Sequence, residues 1–300
     1  MDKILIVKEI LKNVSPIFFR KTVRESLKKY RKIRNFIDLQ IFSKGLTEKD
    51  IVMSLERGGV KKGDVLLVHS SLSRLGHVYG GAGTVVEALL KTVGPKGTIG
   101  APTFWGNTAN YQKGNRVFDV KNSSTVLGKI AEIIRLHPQA KRSMHPTHSA
   151  AFIGPLADYL TKDHHLDNTP VGSRSPYLKL TQVGGKILLL GVTVEYLTNF
   201  HTIEDVVPNF PIRVYLPEPI SFTVIDTEGN EFEVSTFYHC PEKAKLRQGS
   251  KMVSYLRKNN VFSEFDIGRG IAKLIDAKKF HDTLLTLCAR GITMYKPTNL

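Results

Sequence analysis

Apolar positions along this chain fall into short runs separated by glycine turns, and the runs follow two periods. Val23, Leu27, Tyr30, Ile33, Ile37 and Ile41 recur three and four residues apart, which is one face of a helix. Arg24, Lys28, Lys29, Arg31, Lys32 and Arg34 lie mostly around that face. Residues 1–45 therefore read as a basic amphipathic helical leader, broken by Gly45. Thr47, with Asp50 three residues on, predicts a capping box and a second helix that ends near Gly58 and Gly59. The almost wholly apolar run at 64–69 follows a Gly-Asp turn and reads as a buried strand. A helix is expected to start at Thr84 and a strand to cover 98–102.

The same alternation continues. Segments 126–136 and 156–160 read as helices, and 149–153 and 186–191 as strands. Residues 212–238 turn β-rich around a turn at 227–230. Segment 271–287 reads as a helix. Strands alternating with helices predict an α/β fold, with layered helices around a central, mostly mixed β-sheet and a β-rich segment near 212–238. Two units are expected, the leader at 1–45 and one enzyme domain at 46–300.

Composition narrows the class. Apolar residues make up 41% and charged residues 23% of 300, which excludes disorder over most of the chain. No run reaches the roughly 18 apolar residues that a membrane-spanning helix needs, and the first ten residues lack the apolar centre of a secretory signal. With only Cys240 and Cys288, a disulfide framework or Cys-rich zinc site is excluded, and a reduced, cytoplasmic setting is expected. The net charge is +16. Half of the excess sits in residues 1–45, where 12 Lys and Arg face four acids. The leader is expected to pack on its own domain or on a second subunit; weak contact with an anionic membrane surface is the open alternative, and no nucleic-acid partner is expected. A milder basic bias in the body favours an anionic ligand.

Three segments could carry chemistry. At 70–84, hydroxylated residues end a buried strand and a glycine run enters a helix, where free backbone N–H groups and the helix dipole suit a pyrophosphate; a tight turn without ligand is the plainer alternative. At 142–149, two histidines, an arginine and hydroxyls surround a proline. At 198–204, shortly after the apolar strand, His201 and Glu204 share a face if the segment is helical, and ligands of open α/β sheets bind near strand carboxyl ends. The cluster at 163–167 is expected to be a polar or substrate-contacting loop, and no metal site is expected anywhere because no HExxH or Cys-His spacing occurs. His239 beside Cys240 could suggest a Cys–His hydrolase, but neighbouring side chains on a strand point to opposite faces.

The order of motifs is distinctive. It runs Gly-Asp-Val-Leu-Leu-Val-His-Ser-Ser-Leu at 63–72, Gly-Gly-x-x-Thr at 80–84, Gly-Pro-x-Gly-Thr at 94–98 and Pro-Thr-Phe at 102–104. Arg-Ser-x-His-Pro-Thr-x-Ser at 142–149, Gly-Ser-x-Ser-Pro at 172–176, an apolar strand ending in Gly191, and Thr-x-x-His-x-x-Glu at 198–204 complete it. Over about residues 46–290 this resembles the aminoglycoside 3-N-acetyltransferase, or antibiotic N-acetyltransferase, family. The resemblance implies acetyl transfer from acetyl-CoA, as co-substrate, to a primary amine of an amino-sugar, and no metal. It implies that Ser70, Ser71, Leu72, Gly80, Gly81 and Thr84 hold the carrier's pyrophosphate and pantetheine arm, and that Pro102, Thr103 and Phe104 border the same channel. His201 would be the catalytic base, with Glu204 and Thr198 beside it. His145, Asp167 and Ser175 are expected on the acceptor side, and a homo-oligomer is left open.

Direct attack is expected, with His201 removing a proton as the C–N bond forms. An imidazole ordinarily titrates near pH 6.5, which suits that role. Where aminoglycoside-modifying members carry further acidic residues, this chain reads Glu231 to Cys240. Because the body is basic, an anionic or neutral amino-sugar of a nucleotide or glycan pathway is favoured over a polycationic antibiotic. A module gripping polyanions or membranes through 1–45, and the Cys–His hydrolase, are the alternatives from other classes.

Overall fold

A computed structural model describes residues 45–106, 111, 113–114 and 116–296. The expected helix between residues 23 and 41, and any contact it makes, lies outside the described residues. The described residues from Leu46 onward form one compact unit.

The described residues begin with helix α1 (Glu48–Arg57), strand β1 (Val65–Ser70), helices α2 (Leu72–Leu75) and α3 (Gly81–Val93), and strands β2 (Thr98–Pro102) and β3 (Val117–Asp119). Next come α4 (Lys129–Leu136), β4 (Lys141–Arg142), β5 (Ala150–Ile153), α5 (Ala157–Thr161), α6 (Pro176–Gln182) and β6 (Lys186–Leu190). Then follow α7 (Thr202–Val206), β7 (Ile220–Ile225), β8 (Glu231–Thr236), α8 (Pro241–Ala244) and α9 (Val253–Lys258). Hairpin strands β9 (Phe262–Ile267) and β10 (Gly270–Asp276) and helix α10 (Ala277–Cys288) complete the series. No helix among the described residues is long and apolar enough to cross a membrane.

A seven-stranded mixed sheet, ordered β4-β5-β2-β1-β6-β10-β9, forms the centre, as the α/β reading expected. β1 runs parallel to both β2 and β6, while the outer strands pair antiparallel. The central strands are covered on both faces, which is why they read as unbroken apolar runs. Leu66 and Val68 of β1 pack with Ile51, Leu89 and Ile134 from α1, α3 and α4. Val65 and Leu67, pointing the other way, pack with Leu180, Phe200 and Phe280. A second sheet of three strands, β3-β7-β8, holds Phe118, Val224 and Val234 at its own small core. The β-rich segment expected at 212–238 is its hairpin.

One element differs from the sequence reading. Residues 270–276 are a strand, not the first turns of a helix. Ile271, Leu274 and Ile275 have helical spacing, but β10 pairs along its full length with β6 and β9. Tertiary pairing overrides a short pattern that fits both periods. The helix begins where Asp276 caps it, accepting from Lys279 N at 2.8 Å.

Candidate active site

The parallel strands β1 and β6 end side by side, Ser70 opposite Leu190. Ser71 donates its N–H to Leu190 O at 2.9 Å. The chain leaving β6 turns at Gly191, with φ +66°, and a Cβ there would lie 2.8 Å from Arg74 Cβ. Only glycine lets this turn lie so close to α2. So the 70–72 segment and the loop leading to His201 start from neighbouring points at the carboxyl edge of the sheet, where open α/β sheets bind ligands.

Residues Thr198–His201 form a 3₁₀ turn that runs directly into α7. Side chains three apart eclipse in such a turn, so Thr198 and His201 share a face. His201 Nδ1 lies 2.8 Å from Glu204 Oε1. Two further groups reach the same carboxylate: His239 Nε2 at 2.8 Å from Oε2, and Tyr295 Oη at 2.5 Å from Oε1. An ionised carboxylate only accepts, so all three groups donate to it. The Glu204 side chain is 0% exposed, that of His239 6%, and that of His201 12%. Solvent access to the trio is therefore greatest at His201. With Nδ1 donating, the lone pair of its neutral ring sits on Nε2, which makes no hydrogen bond among the described residues.

The electrostatics follow from burial and pairing. Burial pushes the Glu204 carboxyl up, but the two imidazoles and their hydrogen bonds outweigh it and hold it well below the usual carboxylate range. Burial, with His201 nearby, pushes His239 down to about 4 despite Glu204, so near neutrality its ring is uncharged. Asp205 is pushed up to about 6, first by burial and then by Glu204 and Asp167. Its Oδ1 accepts from Tyr215 Oη at 2.8 Å, and the Thr169 and Tyr215 hydroxyls partly offset the rise.

One donor atom each from His201, Glu204 and His239 lie within 4.8 Å of one another, the compass of a metal centre. The pairing is that of hydrogen bonds, however. Donors held ~2.0–2.1 Å from a tetrahedral zinc stand roughly 3.3 Å apart, whereas both imidazoles are 2.8 Å from the carboxylate.

The other residues singled out from the sequence are placed as follows. Ser70, Ser71 and Leu72 are half-buried at the β1–α2 junction. Gly80 takes a left-handed conformation at the start of α3, and a Cβ there would meet Thr84 Oγ1 at 2.3 Å. The first turn of α3, which begins at Gly81, has no side-chain cap and no acid. Pro102 ends β2, and Thr103 beyond it is sealed, its hydroxyl and carbonyl engaged by Ser149 and Arg142. Phe104 packs on His148 with ring centroids 4.5 Å apart. Ser175 caps α6 through Leu178 N. Asp167 is buried, accepts from Arg174 N at 2.7 Å, and acts electrostatically on Asp205.

His145 is fully buried, bonded to Thr236 and stacked on His164 at 4.6 Å. It stands behind His148, which itself lies 5.8 Å from His239. Arg142 explains much of the 142–149 motif, because its guanidinium ties the two sheets together through Thr103 O, Val120 O and Ser123 O. His164 of the 163–167 cluster bonds Ser143 and Pro170 O. Sequence reasoning missed His239 and Tyr295 as partners of Glu204. His239 was visible only as a neighbour of Cys240, whose Sγ instead faces Glu242 Oε2 at 3.5 Å. Nothing in the sequence ties residues 35 and 91 positions away to Glu204.

Known proteins match this chain in sequence and in fold. The family model for aminoglycoside 3-N-acetyltransferase covers residues 67–288. Aminoglycoside N(3)-acetyltransferase III of a Salmonella species is 37% identical over 179 residues, covering 54% of this chain and 62% of that protein. The match thus spans less than two thirds of this relative's length. The crystal structure of aminoglycoside acetyltransferase AAC(3)-Xa superposes with a TM-score of 0.73 at 25% identity, covering 84% of this chain and 95% of that one. The structure named AAC-IIIb binary with CoASH has a TM-score of 0.70 at 24% identity, covers 85% and 100%, and shares the fold.

Proposed function

Because this chain belongs to the aminoglycoside 3-N-acetyltransferase family, we propose that it transfers the acetyl group of acetyl-CoA to a primary amine of an amino-sugar of aminoglycoside type. The observation that carries this reading is the His201–Glu204 pair, a base with an unbonded Nε2 held beside the carboxyl edge of the sheet. The relative of known name and the family that the chain joins supply the chemistry it would serve.

The acceptor attacks as the free amine, its ammonium proton already released to solvent, because an ammonium has no lone pair to offer a thioester. His201 Nε2 takes a proton from the nitrogen as the C–N bond forms, and Glu204, accepting the Nδ1 proton, steadies the imidazolium that results. The thioester carbonyl oxygen gains negative charge and needs a donor. The Ser71 N–H is already given to Leu190 O, so the Thr198 hydroxyl, on the same face as His201, is the better placed candidate. The tetrahedral intermediate then collapses, the C–S bond breaks, and the thiolate leaving group takes up the proton. No residue of the protein becomes acylated. The open N-terminus of α3 at Gly80, Gly81 and Thr84 supports a site for the carrier's phosphates.

The acceptor's charge is read from the groups around Glu204 rather than from the whole chain. The net +16 favoured an anionic sugar, but Glu204, Asp205 and Asp167 form a local acidic group. This supports a cationic acceptor. The test is thiol release from acetyl-CoA across a panel of aminoglycosides and nucleotide-linked amino-sugars. Turnover with an aminoglycoside, reduced ~10²–10⁴-fold in His201→Ala, is expected. Wild-type turnover in His201→Ala with unchanged CoA affinity would sink the base assignment, and turnover only with nucleotide-linked sugars would sink the acceptor class.

A further inference from the structure

Glu204 has more partners than a simple base–carboxylate pair requires. A buried carboxylate bonded to one imidazole would concentrate its charge on that ring. Here two other neutral donors compete for the same oxygens. Tyr295 Oη shares Oε1 with His201, and His239 Nε2 occupies Oε2. His239 is packed between the rings of Tyr215 at 4.8 Å and His201 at 4.4 Å, with His148 at 5.8 Å. Arg247 also acts on it electrostatically. Tyr295 is fixed by the backbone bridge to Arg247. Both donors are thus anchored by structure outside the 198–204 segment.

We propose that His239 and Tyr295 are positioning residues: by donating to Glu204 they fix the rotation of its carboxylate and draw off part of its charge, which limits how strongly Glu204 pulls on the His201 Nδ1 proton. The proposal rests on the acetyltransferase reading and deepens it. Without these donors, Glu204 would pull harder on the Nδ1 proton and raise the proton affinity of the His201–Glu204 pair as a whole. Which of the two then holds the extra proton does not matter, because either way the pair enters the reaction protonated. The uncharged state of His239, kept by burial, matters here. A cationic imidazolium at that position would repel the imidazolium that His201 must become. The charged and titratable groups facing the pair are His239, Tyr295, Asp205, His148, Tyr215 and, through His239, Arg247.

The variants Tyr295→Phe, His239→Leu and His239→Gln test this in the full chain. Tyr295→Phe removes one oxygen and keeps the ring. His239→Gln keeps an N–H donor near the position of Nε2, whereas His239→Leu removes it. In Tyr295→Phe and His239→Leu, the acid limb of the kcat/KM profile should move up by about one to two pH units, the scale of a lost hydrogen bond to a charged group. KM for acetyl-CoA should stay within about twofold, because neither residue is placed on the carrier side. His239→Gln should restore the limb. Imidazole ¹⁵N NMR reads the same proton without turnover, so it separates failure of this proposal from failure of the acetyltransferase reading. The titration midpoint of the His201 ring should move up in Tyr295→Phe. An unmoved acid limb and unmoved ring titration in Tyr295→Phe would overturn the proposal. So would a fall in kcat in His239→Leu with the limb unchanged, the mark of a merely structural role. If His239→Leu does not fold, Tyr295→Phe decides.

Discussion

Two adjacent carboxyl groups, Glu204 and Asp205, are driven in opposite directions. Three donors hold Glu204 ionised, while Asp205, bonded to Tyr215 and facing Glu204 and Asp167, is pushed up to about 6 by burial and like charge. The folded pKa of Asp205 exceeds its unfolded value of about 3.9. Its contribution to stability is therefore fully present below about pH 3.9 and lost as pH rises through about 6. Asp205→Asn removes that loss. The variant should gain in thermal midpoint over wild type at pH 8 but not at pH 4, and an equal difference at both values would refute the sign. The His201–Glu204 pair was legible in the sequence because a separation of three residues puts both on one helical face. His239 and Tyr295 were not, because their link to Glu204 is made by tertiary packing across 35 and 91 residues.

At the scale of elements, local chemistry was a faithful guide where a short segment decides its own shape. The capping box of α1 forms as expected, with Thr47 and Asp50 each bonding the other's backbone. Thr47→Ala should cost about 1 kcal/mol in denaturant unfolding. Strand β2 begins and ends where the apolar run does. Local pattern failed at β10, whose identity depends on neighbours far away in sequence. Gly191 shows the same dependence at a single turn. A Cβ there meets Arg74 and forces the chain out of a left-handed conformation. Gly191→Ala should destabilise by roughly 1–3 kcal/mol and should lower turnover by more than its loss of stability explains, since the loop to His201 starts there. Parallel measurement of unfolding and kcat checks this.

Across the whole molecule, histidine burial sets the response to acid. His69, His145, His148, His164 and His239 are all held below the ordinary imidazole value, first by burial. The unfolded chain takes up these protons near pH 6.5, but folded His69 and His239 take them only at about 4, and His164 at about 3. The unfolded state binds more protons in that window, so stability falls as pH drops from about 6.5 toward 4. Thermal midpoints measured from pH 8 to 4.5 should be nearly level above pH 7 and decline steeply below 6.5. A flat profile through pH 5 would contradict the buried neutral rings.

The last strand-like contact of the described chain adds a matter of timing. Gln248 N donates to Met294 O and Lys296 N to Leu246 O, clasping the segment that carries Tyr295 against a much earlier loop. During synthesis, the central sheet and the 198–204 turn can be complete while this clasp has yet to be made. A newly translated chain should thus fold its scaffold before its base is tuned.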